Sequence, residues 1–278
     1  AIPHSVSFRL RVVLNVSRAM EASREVTILE RADKPSDVPA EVRKGFVVKV
    51  YSLVVTMLVI SFGLASPFVF YAEGSSKWLN KNRWVFFATI SFFLVQYLLH
   101  TAMMMQLCCG GDSCFRCYIK MFVTAPFNYI YMFVYSVFTG ALIGMVSLTY
   151  QAESVCLVFI VCAVIVIALT IYAVYTNCDF TGYGAYIFVA LIGLLLLGVI
   201  SFFVPIGSTF DRVIGGLGAI IFGWIIVYDT QLIFGTASAS ENRKYEYTID
   251  MYAFASFELY LDFINFFLYM LRLLGARR

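Results

Sequence analysis

The sequence predicts an all-α integral membrane protein with seven transmembrane helices. Two observations predict it. The chain is 61% hydrophobic and only 13% charged, about half the roughly 25% charge of a soluble domain. A chain of 278 residues with so little charge cannot cover its surface with polar groups in water. The chain also holds several uncharged apolar runs of roughly 20 residues, the length that crosses about 30 Å of hydrocarbon as a helix. Lipid offers no partner to a free backbone amide, so each span must close its own hydrogen bonds. The alternating pattern of barrel strands is absent.

The first span is expected at Val50–Ala72, ended by Glu73, Gly74 and Ser75. The second is Trp84–Leu107, closing on cysteines and glycines. The third is Phe127–Tyr150, starting after Pro126. The fourth is Val155–Tyr175, and the fifth Tyr183–Val204, stopped by Pro205. The sixth is Val213–Phe234 and the seventh Met251–Leu274. Residues 1–48 read as a polar cytosolic tail, broken by Pro35 and Pro39, and residues 49–278 as the transmembrane domain. Within the tail, Val6–Val16 reads either as a weakly ordered arm or as a short amphipathic patch. No long apolar run follows Arg9 and Arg11, so no secretory signal is expected there.

Orientation follows the Lys/Arg bias of the connections. Residues 1–49 hold nine of the twenty basic residues, and Arg43, Lys44 and Lys49 at the membrane edge place the N-terminus in the cytosol. Arg116 and Lys120 after the second span, and Arg243 and Lys244 after the sixth, then share that side. Lys77, Lys81 and Arg83 fit less well. So do Arg277 and Arg278, which seven spans send to the far side; a re-entrant sixth or seventh segment is the alternative.

Acidic residues inside spans carry the chemical information. Asp229 lies in the second half of the sixth span, and Asp262 in the middle of the seventh. A charge at mid-bilayer costs at least about 2.5–3.5 kcal/mol, so such residues face the bundle interior and find partners. They serve either a proton- or cation-handling site or a neutral helix–helix hydrogen bond. Two carboxyls in low dielectric cannot both ionise easily. A pair would share a proton and titrate together, acting as a pH-sensitive clasp: closed when bridged, repelling or cation-bound when ionised. Glu258 and Asn265 lie four residues before and three after Asp262, on one helix face, and Thr230 and Gln231 follow Asp229. These are accessory polar candidates. Oxygen clusters suit hard cations such as Ca²⁺, which makes Asp229 and Asp262 candidate Ca²⁺ ligands. For Glu258 the alternative is a wetted position at the end of the span.

Cys108, Cys109, Cys114 and Cys117 form a juxtamembrane cluster. Three readings stay open: no special role, acylation, or tetrahedral metal binding, which the adjacency of Cys108 and Cys109 strains. Cys156, Cys162 and Cys178 read as packing residues, and His100 as a helix–helix hydrogen-bond partner. Serine-hydrolase, zinc-protease and phosphate-loop signatures are absent, and nothing suggests nucleic-acid binding. An intramembrane aspartyl protease would flank its second aspartate with glycine, whereas Asp262 lies between Leu261 and Phe263. No enzyme activity is expected.

Tyr228-Asp-Thr-Gln-Leu-Ile-Phe-Gly235 and Leu259-Tyr-Leu-Asp-Phe-Ile-Asn-Phe-Phe-Leu-Tyr-Met-Leu-Arg272 closely resemble the transmembrane Bax inhibitor motif, or lifeguard, family. Val42–Tyr51 and Asn177–Thr181 add to the resemblance, which runs from about Glu41 to the C-terminus. The resemblance implies six spans packed around a central C-terminal helix. It implies a pH-sensitive Ca²⁺ leak across internal membranes and protection from cell death, with Asp229 and Asp262 on the family's paired aspartates. Bacterial relatives add a basic latch at the end of the second span; here Leu107-Cys-Cys-Gly stands there, and Arg116 or Lys120 are the candidates to replace it.

The expected function is therefore a pH-sensitive Ca²⁺ leak channel or Ca²⁺/H⁺ exchanger of endoplasmic reticulum or Golgi membranes, with the plasma membrane as the alternative setting. Ca²⁺ and protons are its ions, lipid is its surroundings, and no tightly bound cofactor is expected. Other membrane proteins of cell-death or Ca²⁺ signalling are expected partners. Two alternatives stand beside it: a membrane adaptor that suppresses apoptosis without transport, and an intramembrane hydrolase using the same acids.

Overall fold

The computed structural model describes residues 40–109, 124–203, 207–235 and 246–278. Eight helices follow in order: α1 (Ala40–Phe70), α2 (Ala72–Lys81), α3 (Arg83–Cys109), α4 (Phe127–Ser147), α5 (Ala152–Tyr175), α6 (Gly184–Phe203), α7 (Ser208–Phe234) and α8 (Tyr252–Leu274). Among the described residues there is no strand. Six helices, α1 and α4 to α8, are long and apolar enough to cross a membrane, and α3 is apolar over Arg83–Gln96. The expected all-α membrane architecture is what the chain adopts.

The first helix departs most from expectation. It starts at Ala40, well before Val50, because a helix need not stop where hydrocarbon stops; Arg43, Lys44 and Lys49 simply continue it. Residues 1–39 of the expected tail, including Val6–Val16, lie outside the described residues. Its end also differs. Glu73, Gly74 and Ser75 do not terminate a span but belong to the short α2, after a break at Tyr71. The α1 helix runs through Pro67, which has no amide to donate to Gly63. The Ser66 hydroxyl donates to the Gly63 carbonyl instead, at 2.8 Å. That substitute satisfies a group lipid would leave bare.

The C-terminal helix α8 is the centre of the bundle. Two thirds of its apolar window is buried (67%), against 11% for α6. It packs mainly against α7, α1, α5 and α4, while α3 joins through α4 and α6 through α7. Close approach rests on glycine. A side chain at Gly140 of α4 would stand 2.7 Å from the Ser61 carbonyl of α1, and one at Gly215 of α7 would stand 2.8 Å from the Leu273 amide of α8. Small residues bring membrane helices close enough for van der Waals packing, since lipid provides no hydrophobic drive between them. Polar ties add to it: the fully buried Tyr260 hydroxyl meets Ser61 Oγ at 2.6 Å, and Ser61 also donates to the Ser136 carbonyl of α4.

Neither α7 nor α8 turns back within the bundle; both are unbroken and run antiparallel. The tail after α8 lies where α1 finishes. Gln151 and Arg278 pair with Ala276 and Thr149 through their backbones, at 2.9 and 3.0 Å, and Arg278 reaches the Val69 carbonyl of α1. Arg272 and Arg277 both pair with Asp211 at the start of α7. The basic end that fits the charge bias poorly thus has its own acidic partner.

Candidate functional site

Asp229 stands near the end of α7 and Asp262 in the middle of α8. Antiparallel packing brings them level: Gly215 lies on Leu273, Gly218 on Tyr269 and Gly223 on Phe266, a register that continues to Asp229 opposite Asp262. Both residues are only 5% and 6% exposed, and their carboxyls lie within hydrogen-bonding reach of each other. A carboxylate accepts but cannot donate, so a bond between them requires a proton on one of the two. Oδ2 of Asp262 is buried. The geometry therefore gives two apposed carboxyls, with one oxygen of Asp262 left without a protein partner.

Glu258 lies one turn before Asp262 on α8. It is half-buried and within electrostatic reach of both aspartates. Three further candidates fall elsewhere. Gln231 faces away from the acids and is fully engaged: Oε1 accepts from the Phe180 amide at 2.8 Å, and Nε2 donates to the Ala173 and Cys178 carbonyls. It ties the α5–α6 connection to α7. Asn265 donates to the Leu261 carbonyl of its own helix at 2.9 Å. Thr230 is wholly buried beside Tyr51 of α1, and neither hydroxyl closes an ordinary hydrogen bond.

Among the described residues, no three His, Cys, Asp or Glu side chains are placed to hold a metal ion together. Ca²⁺ takes six to eight oxygens, and two carboxyls supply at most four. An ion held by Asp229 and Asp262 alone would therefore need further oxygens from water or elsewhere in the chain. Arg116, Lys120, Cys114 and Cys117 lie outside the described residues, as do the side chains of His100, Cys108 and Cys109, whose backbones are in α3. Cys162 is buried packing, as expected, but Cys178 is exposed. It sits in the α5–α6 connection and contributes its carbonyl to Gln231.

Tyr247 is the residue sequence reasoning missed. It precedes α8 in a non-helical connection, yet its phenol lies within electrostatic reach of Asp229, Glu258 and Asp262. Burial pushes that phenol well above its ordinary pKa, and the neighbouring carboxyls add to the shift. The hydroxyl is therefore a neutral donor. With φ of 56°, Gly235 ends α7 in a backbone state that L side chains avoid, and Glu246 packs where a side chain would stand. The Tyr247 amide donates to the Leu232 carbonyl at 2.9 Å. Nothing in the local sequence announces this, because the contact joins residues distant in sequence.

At the same end of the bundle, Lys49 of α1 stands 3.2 Å over the Tyr252 ring, whose hydroxyl accepts from Asn128 of α4 at 2.9 Å.

Residues 43–278 match the family described as inhibitor of apoptosis-promoting Bax1. The chain is 30% identical to human protein lifeguard 3 over 256 residues, covering 89% of this chain and 75% of that protein. It is 30% identical to LIFEGUARD 4 of Arabidopsis thaliana, covering 85% and 86%. It is 25% identical to Bax inhibitor 1 of Schizosaccharomyces pombe, covering 84% and 77%.

Proposed function

The chain belongs to the Bax inhibitor family of membrane proteins, and from that premise we propose that it is a pH-sensitive Ca²⁺ leak channel or Ca²⁺/H⁺ exchanger that modulates cell death. Its site is the Asp229–Asp262 pair, and its setting is an internal membrane, with the N-terminus in the cytosol. The proposal is for ion passage, not for an enzyme.

The observation that carries the reading is the close, buried apposition of the Asp229 and Asp262 carboxyls, which one shared proton would bridge. While the proton bridges them, α7 and α8 are held together and no cation is needed. When it leaves, two carboxylates face each other in low dielectric. They repel, or they draw in a cation that takes the proton's place. Ca²⁺ would enter that site as cargo, with water completing its shell. Protonation and ion occupancy compete for the same oxygens, which is the requirement for pH-dependent passage or for exchange.

The adaptor reading uses the same pair as a structural clasp. Expression of the wild type and of the Asp229→Asn/Asp262→Asn double variant in cells separates the two. Loss of both Ca²⁺ release from stores and death protection in the double variant supports transport. A double variant that folds, releases no Ca²⁺ and still protects cells would replace the transport reading with the adaptor.

A further inference from the structure

We propose that Tyr247 is the plug that shields the acid pair from the membrane face at which α1 begins. The inference rests on Asp229 and Asp262 being the cation site, and it adds the residue that closes one access to them.

Four observations converge on it. Asp229 lies a turn and more before the end of α7, and Asp262 well inside α8, so an ion leaving toward this face must pass the ends of both helices. Tyr247 occupies that position. Its amide is bonded to the Leu232 carbonyl in the last turn of α7, at 2.9 Å. Its ring meets Phe254 in the first turn of α8, with centroids 6.0 Å apart. Its phenol lies within electrostatic reach of Asp229, Glu258 and Asp262. A connection normally runs over the surface with its side chains in water, yet this side chain is half-buried and packs against the core.

The chemistry suits a plug. An aromatic ring fills the opening with apolar volume, and its neutral hydroxyl can donate to an ionised carboxylate beneath it without adding charge. Tyr228 is the other phenol near Tyr247, and Glu246, packed on Gly235, is the acidic group beside it on the connection.

The test uses the full chain in liposomes carrying Glu258→Cys, with a membrane-impermeant charged thiol reagent added to each face in turn. Peptide mass spectrometry separates the introduced thiol from native ones. Tyr247→Ala should accelerate modification at least tenfold from the face where α1 begins, and Tyr247→Phe, which keeps the ring, should leave it slow. Tyr247→Leu supplies the same comparison if the alanine variant does not fold. Unchanged modification in both truncations, or a Phe rate as fast as the Ala rate, overturns the plug. Labelling does not require conduction, so absence of Ca²⁺ flux in the parent would remove the transport reading while the plug is still decided.

Discussion

The carboxyl of Asp262 lies within hydrogen-bonding reach of that of Asp229 across the contact between α8 and α7. A bond between them exists only while a proton is present, so the helix contact it would support is strongest on the acid side and weakens as the proton leaves. Thermal unfolding in detergent, scanned from about pH 5 to pH 9, should show stability falling with pH in the wild type. Asp262→Asn donates to Asp229 through an amide that cannot lose its proton, and should flatten that fall. Equal slopes in the two proteins would mean that the pair holds no shared proton.

The level of the pair is set by the packing above it. Gly215 approaches the Leu273 amide and the Tyr269 carbonyl, both immobile backbone, whereas a side chain at Gly216 would meet only Leu273 methyl groups at 3.8 Å and beyond. Gly215→Ala should therefore destabilise by about 1–3 kcal/mol through overpacking, and Gly216→Ala should be nearly neutral. Thermal unfolding of the two variants side by side measures the contrast.

Gly235→Ala should cost about 1–3 kcal/mol, because its φ of 56° is a backbone state that only glycine adopts cheaply. The lesion is local. Hydrogen exchange should rise at the Tyr247 amide, which loses its fixed approach to Leu232, and stay unchanged in the middle of α8.

Tyr260→Phe removes the hydroxyl that meets Ser61 at 2.6 Å. Interhelical hydrogen bonds in membrane proteins contribute about 0.6 kcal/mol on average and up to about 1.7. Ser61 retains its bonds to the Met57 and Ser136 carbonyls, so the loss should fall near the lower figure. The pH slope of stability should match that of wild type, since Tyr260 is bonded on the side of α8 that faces α1 and α4. Unfolding curves at several pH values check both statements.

The spans were legible because uncharged runs of membrane length have few other uses, and the acid pair because charge inside such runs is costly. Less legible was everything set by contacts distant in sequence. Arg277 looked misplaced until Asp211 appeared beside it. Gln231 looked like a neighbour of the acids, but its helix turns it toward the α5–α6 connection. Glu73, Gly74 and Ser75 read as a stop, yet the break falls at Tyr71 and those residues begin another helix. Tyr247 gave no signal, since its place depends on a backbone contact with Leu232 in the last turn of α7.

The most direct measurement is Ca²⁺ flux from liposomes reconstituted with the wild type, Asp229→Asn and Asp262→Asn, followed against pH. Passage through a proton-bridged pair predicts a flux that changes with pH in the wild type. In each variant the flux should fall severalfold and lose that dependence. Flux and pH dependence that survive both substitutions unchanged would contradict the assignment of Asp229 and Asp262 as the site.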